Sequence, residues 1–145
     1  MNLGQGKWVQ VKRFNFRTYV HFTHDFTRDD YDPKGIVLTI EQYQRLKGFV
    51  PKMNRGQMNL GRMKYVHAKQ FKGRIYVDIR QYFYIDDQYY YDYVDSFSDY
   101  DPEYDDYMHP TKKGIILNLE QYKRLEDFMP KIAWWLEMIN YYPFV

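Results

Sequence analysis

The sequence predicts an α+β fold in which two copies of one strand-rich unit each end in a helix. Two blocks align between the copies: 2–22 with 59–79, and 34–52 with 113–131. Alternating apolar residues in the first block indicate strands, whereas apolar spacings of three and four in the second block indicate a helix. A unit of this size cannot bury its apolar face alone. The repeats 1–56 and 57–145 are therefore expected to form one compact unit.

The predicted strands are clearest in the second copy. Segments 64–71 and 74–83 are rich in β-branched and aromatic residues, and Lys72 and Gly73 between them predict a tight hairpin. Period-two alternation puts three apolar residues of the second segment on the core side: Ile75, Val77 and Ile79. The same alternation groups polar residues and rings on the other side: Tyr65, His67, Lys69, Phe71, Arg74, Tyr76, Asp78 and Arg80. A further strand is predicted at 114–117.

A helix follows the strands in both copies. Thr39 with Gln42, and Asn118 with Gln121, have the spacing of a capping box. An apolar stripe follows each cap: Tyr43, Leu46, Phe49 and Met53 in the first copy, and Tyr122, Leu125, Phe128, Ile132, Leu136 and Ile139 in the second. Pro51 and Pro130 are expected to interrupt or kink these helices, because proline lacks the backbone donor. Trp134 and Trp135 are expected to cover the boundary between the copies.

Charge is strongly segregated behind a net charge of +2. Residues 1–83 contain 16 basic and 6 acidic side chains, residues 84–109 contain nine acidic and no Lys or Arg, and residues 110–145 contain five basic and four acidic. The excess of basic side chains in residues 1–83 suggests a polyanionic partner. Aromatic residues make up 21% of the chain, with 17 Tyr, so exposed rings that stack on bases are expected.

Other classes of function find little support in the sequence. The chain has no cysteine, which excludes disulfides and thiolate metal sites and suits a reducing compartment, nuclear or cytoplasmic. No signal peptide or membrane span is expected. His21 and His24 would point to opposite faces of a strand, and the acidic run at 101–105 lacks the glycine of a calcium loop. No catalytic motif is found, so we expect neither an enzyme nor a cofactor.

The second copy resembles the single-strand DNA-binding domain of the transcriptional coactivator positive cofactor four. The resemblance is carried by GRMKYVHAKQFKGRIYVDIRQYF at 61–83 and PTKKGIILNLEQYKRL from 110 onwards, through the Lys-Gly turn, the VDIR end of the second strand and the Glu-Gln-aromatic helix start. The resemblance implies a curved four-stranded antiparallel sheet followed by one helix. It also implies a dimer of such units with channels for single-stranded DNA, so two units in one chain would form an intramolecular pseudo-dimer.

The resemblance assigns nucleic-acid-binding residues in both copies. In the second copy these are Arg62, Lys64, Lys69, Phe71, Lys72, Arg74, Arg80, Phe83 and Lys113; in the first they are Lys7, Lys12, Arg13, Phe14, Arg17, Phe26 and Lys34. Four positions differ, since the first copy has Gln5 for Arg62, Asn15 for Lys72, Phe16 for Gly73 and Thr23 for Arg80. The second repeat is therefore expected to bind and the first to be partly structural. Strict alternation puts Phe83 on the core side unless a bulge intervenes.

The acidic segment 84–109 also contains eight tyrosines and is an insertion in the second repeat. Three interpretations remain open: a solvated loop, a nucleic-acid mimic lying over the basic channel, or a docking segment for another protein. The sequence as a whole predicts a single-stranded DNA-binding protein of low sequence specificity that acts in transcription, replication or repair. RNA, melted duplex and further homo-oligomers are possible partners. The alternative is a cofactor that contacts the transcription machinery through the insertion, with vestigial DNA binding.

Overall fold

A computed structural model describes residues 1–24, 34–51, 56–84 and 108–141. Two four-stranded antiparallel sheets and two helices make up this part of the chain, which confirms the α+β class. The first repeat contains β1 (Asn2–Gly4), β2 (Lys7–Phe14), β3 (Arg17–His24), β4 (Ile36–Thr39) and α1 (Ile40–Lys47). The second contains β5 (Gln57–Gly61), β6 (Lys64–Phe71), β7 (Arg74–Tyr84), β8 (Met108–Asn118) and α2 (Leu119–Tyr141). Each sheet follows chain order.

The long hairpins of the two sheets close in the same way. Phe14 pairs with Arg17 across the β2–β3 turn, and Phe71 pairs with Arg74 across the β6–β7 turn. Both central residues of each turn have positive φ, as in type I′ turns: Asn15 (49°) and Phe16 (64°), and Lys72 (50°) and Gly73 (76°). A left-handed conformation costs a non-glycine residue about 1–2 kcal/mol, so Phe16 makes the first hairpin at a conformational cost.

Strands β7 and β8 are longer than the sequence indicates. The register of the pair shifts between Arg80 and Tyr82, and pairing then continues to Tyr84 opposite Met108. Tyr82 is buried and Phe83 is half-buried, so the bulge does not expose Phe83 fully. The insertion assigned to 84–109 thus overlaps the ends of both strands, and residues 85–107 lie outside the described part of the chain.

Both helices begin at the predicted capping boxes but end differently. The Gln42 backbone N–H donates to Thr39 Oγ1 at 3.2 Å, and the Gln121 backbone N–H donates to Asn118 Oδ1 at 2.8 Å. Helix α1 ends at Lys47 with Gly48 as its cap, so Phe49 follows the helix, and Met53 lies outside the described residues.

Helix α2 runs for 23 residues through Pro130, which does not end it. A helix tolerates the missing donor where the surrounding turns remain in place. Trp134 and Trp135, on this extension, are 52% and 41% exposed and lie edge to face, with ring centroids 5.1 Å apart. The two rings therefore remain largely open to solvent, and that they cover the boundary between the repeats stays a prediction.

The buried residues form a single hydrophobic core with contributions from both repeats. Helix α2 packs against β1 and β2 as well as β7 and β8, and α1 packs against β5 as well as β3 and β4. Among the fully buried residues are Leu3, Val20, Leu38 and Leu46 from the first repeat and Leu60, Val77, Ile115 and Leu125 from the second. Residues 1–56 and residues 57–145 therefore both contribute side chains to the same core.

The boundary between the repeats, here called the seam, is held by reciprocal hydrogen bonds. Gln42 Nε2 donates to the carbonyl of Gly61 at 2.8 Å, and Gln121 Nε2 donates to that of Gly4 at 2.9 Å. Both glycines have φ near +100°, at 103° for Gly4 and 102° for Gly61. A Cβ on Gly4 would lie 2.5 Å from Nη1 of Arg124, which is the end of a flexible side chain and can move, so it is the positive φ that favours glycine here.

Two tyrosines break this symmetry. The Tyr122 hydroxyl donates to the carbonyl of Phe49 at 3.0 Å, a carbonyl that α1 leaves available because the helix ends at Lys47. The equivalent Tyr43 hydroxyl is buried and has no hydrogen-bond partner among the described residues. In the second repeat Phe128 is the residue that corresponds to Phe49. Its carbonyl lies inside α2 and is therefore not available to Tyr43 in the way that the Phe49 carbonyl is available to Tyr122. Among the described residues, the Tyr43 hydroxyl is thus left without the acceptor that its counterpart Tyr122 has.

We expect opposite effects from removing these two hydroxyls. Tyr122→Phe should lower the free energy of unfolding by about 1 kcal/mol through the lost hydrogen bond, and Tyr43→Phe should raise it by up to about 1 kcal/mol. Urea denaturation of the two variants measures both changes. A loss in Tyr43→Phe as large as in Tyr122→Phe would contradict this account.

The same tyrosines link stability to alkaline pH. Burial raises the pKa of Tyr43 to about 12, and burial together with Glu126 raises the pKa of Tyr122 further above its usual range. An unfolded chain releases these protons near pH 10, before the folded chain does. Stability should therefore fall as the pH rises from about 10 to 12, and less steeply in Tyr43→Phe. An unchanged slope in that variant would show that Tyr43 does not carry the effect.

Candidate nucleic-acid interface

Each sheet has an outer surface opposite the core, and the cations and rings of the hairpins lie there. The first face, on the β1–β4 sheet, contains Lys12, Phe14, Arg17, Tyr19, His21 and Val37; the second face, on the β5–β8 sheet, contains Lys69, Phe71, Arg74, Tyr76, Asp78, Arg80 and Ile116. Lys12 pairs with Tyr19 and Lys69 with Tyr76, so a cation and a ring lie side by side on each face. Along β3 and β7 these residues alternate with core residues such as Val20 and Val77, although His21 and Asp78 on the outer faces are themselves buried.

The most exposed rings lie at the hairpin tips. Phe14 is 69% exposed, Phe16 87% and Phe71 62%. A cation flanks two of these rings: Arg13 Cζ lies 6.0 Å from the centroid of Phe16, and Lys72 Nζ lies 5.4 Å from that of Phe71. An exposed ring beside a cation suits a base and its phosphate at the same time.

Asp78 organises the centre of the second face. Its carboxylate is 2% exposed and forms ion pairs with Lys69 Nζ at 3.1 Å and Arg80 Nε at 3.0 Å. Arg80 also donates from Nη1 to the carbonyl of Thr111 at 2.9 Å. In the first repeat, His21 and Thr23 occupy the positions of Asp78 and Arg80. The strands β1–β4 contain no Asp or Glu, so among the described strands only β7 places a carboxylate on an outer face.

The first face forms a groove of about 450 Å³. It is lined by Lys12, Arg13, Phe14, Tyr19, His21 and Val37. A neighbouring cleft of about 500 Å³, here called the junction cleft, contains Phe16, Arg17, Thr18, Tyr19, Thr39, Ile40 and Glu41 from the first repeat and Arg62 from the second. Arg62 therefore borders the first face, although it belongs to the second repeat.

Two predicted phosphate-binding lysines are placed at the seam. Lys64 Nζ donates to the carbonyl of Val37, and Lys7 Nζ donates to that of Ile116, an equivalent bond across the seam. Burial lowers the pKa of both lysines, and the nearby charges of Arg62 and Lys113 lower that of Lys64 further. Both ammonium groups therefore contribute to the contact between the repeats.

The remaining predicted residues are dispersed. The carbonyl of Lys34 accepts a hydrogen bond from Gly114 N at 3.0 Å across the seam, next to Lys113. Phe83 packs against His109 with centroids 5.8 Å apart, away from the hairpin tips. Phe26 lies outside the described residues.

The site-residue prediction overlooked four residues that the structure places on or beside these faces: Phe16, Tyr19, Tyr76 and Asp78. Period-two alternation already groups Tyr76 and Asp78 with Arg74 and Arg80, so that signal was available in the sequence. No comparable signal marks Phe16, because a turn position with positive φ normally favours Gly, Asn or Asp.

Fold and site together define an α+β protein with two antiparallel sheets whose outer faces combine cations with exposed rings. Residues 58–90 match the family described as Transcriptional Coactivator p15 (PC4), which confirms the resemblance for that segment. A Caenorhabditis elegans protein named "Putative RNA polymerase II transcriptional coactivator" is 33% identical over 73 residues, which is 50% of this chain and 45% of that protein. The chain thus covers less than half of the length of this relative.

The described residues contain neither a membrane-spanning helix nor a metal-binding cluster. Neither α1 nor α2 is long and apolar enough to cross a membrane. Within residues 1–24, 34–51, 56–84 and 108–141, no group of His, Asp or Glu side chains is arranged to hold a metal ion.

Proposed function

We propose that this chain is a single-stranded DNA-binding protein of low sequence specificity that acts in transcription, replication or repair. The observation that carries the proposal is the pairing of exposed rings with cations at both hairpin tips, at Phe14 and Phe16 in one sheet and Phe71 in the other. Rings stack on any base, and Lys and Arg neutralise phosphates irrespective of sequence. Low specificity follows from these two kinds of contact.

The proposal includes an intramolecular pseudo-dimer of two repeats of the p15 coactivator kind. Reciprocal bonds support it, since Gln42 contacts Gly61 as Gln121 contacts Gly4, and Lys64 contacts Val37 as Lys7 contacts Ile116. Such an arrangement gives one chain two outer faces. The name of the C. elegans relative favours a role beside RNA polymerase II, and hence a nuclear location.

Duplex DNA is a poorer fit to these faces than a single strand. Stacking on Phe14 or Phe71 requires a base whose flat surface is open, and in a duplex both surfaces are covered by neighbouring base pairs. The exposed rings therefore favour strands that are already separated or melted.

Fluorescence anisotropy tests the proposal with a labelled 20-nucleotide single strand and its duplex over a salt series. We expect the single strand to bind more tightly, with an affinity that falls steeply as salt rises, because about 0.7 counterions are released per neutralised phosphate. Negligible binding of both forms at low salt would refute the proposal.

The alternative function is a protein-interaction cofactor that uses the acidic insertion. The nine carboxylates and eight tyrosines of 84–109 favour it, since acidic and aromatic mixtures occur in interaction segments. Deleting 85–107 separates the candidates. A loss of polymerase-associated partners with negligible DNA affinity before and after would favour the cofactor, whereas retained single-strand binding would favour the lead proposal.

A further inference from the structure

We infer that the junction cleft is a pocket for one nucleotide of the bound strand, and that Glu41 gives this pocket a preference for guanine. The inference rests on the proposed function and adds to it one position at which the base is read. The cleft combines the three kinds of group that a nucleotide requires: cations for the phosphate, rings for the face of the base, and an acceptor for its edge.

The cations of the cleft come from both repeats. Arg17 begins β3 of the first repeat, and Arg62 lies in the turn between β5 and β6 of the second. Both side chains are exposed, and within the described part of the chain neither forms an ion pair. The charge of Arg62 also lowers the pKa of Lys64, so this wall of the cleft is electropositive. Two unpaired guanidinium groups on one concave surface attract a phosphate.

Glu41 differs from its counterpart in the second repeat because its carboxylate is not engaged. Each glutamate has an arginine four positions later, Arg45 for Glu41 and Arg124 for Glu120. Glu120 Oε1 lies 3.2 Å from Arg124 Nη2, whereas Glu41 forms no ion pair with Arg45 or with any other residue that the structure describes. A glutamate in the first turn favours either helix, so helix stability does not explain the difference. The Glu41 carboxylate instead lines the cleft.

Rings supply the walls against which a base can stack. Tyr19, which pairs with Thr39 across β3 and β4, is half-buried, and Phe16 at the hairpin tip is 87% exposed. Phe16 has φ of 64° at a turn position that normally favours Gly, Asn or Asp, so the turn carries this ring at a conformational cost. The volume of the cleft, about 500 Å³, lies within the range of ligand pockets. One unstacked nucleotide fits this space.

A carboxylate selects among bases because it only accepts hydrogen bonds. Guanine has two adjacent donors on its Watson–Crick edge, N1–H and the 2-amino group, and these match the two oxygens of Glu41. Adenine and cytosine each have one amino donor beside an acceptor nitrogen, and thymine has one N–H between two carbonyl oxygens. In a duplex this edge is paired. The contact with Glu41 therefore requires a single strand, as the proposed function does.

Fluorescence anisotropy tests the inference with labelled 20-nucleotide strands that repeat the unit TTTN, in which N is G, A, C or T. The guanine strand should bind at least about 5-fold more tightly than the thymine strand, with the adenine and cytosine strands weaker than the guanine strand. Hypoxanthine in place of guanine removes the 2-amino group and should abolish most of the gain. The analogue 7-deazaguanine keeps the Watson–Crick edge and should retain it.

Glu41→Gln and Glu120→Gln form a matched pair of variants, since they change equivalent first-turn positions and the same net charge. Glu41→Gln should remove most of the preference for guanine over thymine, because an amide has one acceptor and one donor group. Glu120→Gln should leave the preference unchanged. Arg62→Gln should weaken the binding of all four strands alike and flatten the salt slope by about 0.7. Circular dichroism checks that each variant keeps the fold.

The outcomes separate this inference from the proposed function. Equal binding of the guanine and thymine strands by the unmodified chain, or a guanine preference that Glu41→Gln leaves intact, would overturn the inference and leave the proposed function standing. The same loss of preference in Glu120→Gln would also overturn it, because net charge and not the cleft would then be responsible. Absence of binding to every strand would instead overturn the proposed function itself.

Discussion

Replacing Leu125 with alanine is expected to lower the free energy of unfolding by about 2–5 kcal/mol and to destabilise both repeats together. Leu125 is fully buried in α2, and this helix packs against β1 and β2 of the first repeat as well as β7 and β8 of the second. Removing three side-chain carbons from such a site loses burial and leaves a cavity. Because the core is shared, the loss should be felt in both sheets.

Trp8, in β2, provides a reporter for the first repeat. In a Trp134→Phe, Trp135→Phe background, urea denaturation followed by Trp8 fluorescence and by circular dichroism should give coincident transitions, both shifted by Leu125→Ala. Leu119→Ala is the matched control, because Leu119 is the first residue of α2 and is 45% exposed. A Trp8 transition that stays in place while the helix signal moves would show that the repeats unfold independently.

Local features of this fold could be predicted because short segments determine them. The capping boxes at Thr39 and Asn118 form as predicted, since each uses two residues three positions apart. The β6–β7 hairpin likewise follows from alternation on either side of Lys72 and Gly73. Pro130 shows the limit of such rules: it sits inside a helix that its neighbours maintain.

The seam could not be predicted from these patterns. The bond from Lys7 to the carbonyl of Ile116 joins residues 109 positions apart, and nothing in the sequence near Lys7 indicates its acceptor. A lysine in a basic segment is equally compatible with a phosphate contact, which is the role that the resemblance assigned to it. Where the side chain lies depends on how the two sheets pack, and that is a property of the whole chain.

For the same reason, the position of a cation along the chain does not give its position in the fold. Counting cations along the chain credits Arg62 to the second repeat, yet its side chain borders a cleft made mainly by the first. The count also treats Asp78 as one charge among many, although it lies within ion-pair distance of two of the cations that were counted. The positions of the cations in the fold, and not how many each repeat contains, decide which of them a single DNA strand can contact.

Asp78→Asn is expected to change stability and affinity in opposite directions. The loss of a buried charge that holds Lys69 and Arg80 should lower the free energy of unfolding by about 1–3 kcal/mol. The released cations should tighten single-strand binding on the order of 5-fold at low salt and steepen the salt slope by about 0.7–1.4. Urea denaturation and anisotropy measure the two effects. Glu137→Gln is the control, since it makes the same change in net charge at an exposed position on α2.

A double-mutant cycle then distinguishes a local release of cations from a general gain in positive charge. If Asp78 restrains the second face, Phe71→Ala should cost more affinity in the Asp78→Asn background than in the unmodified chain, because the strand would now use that face. The cost of Phe14→Ala should not increase in the same background. Equal gains in Asp78→Asn and Glu137→Gln, with no coupling to Phe71, would mean that net charge alone sets the affinity. Coupling confined to Phe71 would show instead that one buried carboxylate determines how the strand divides between the two faces.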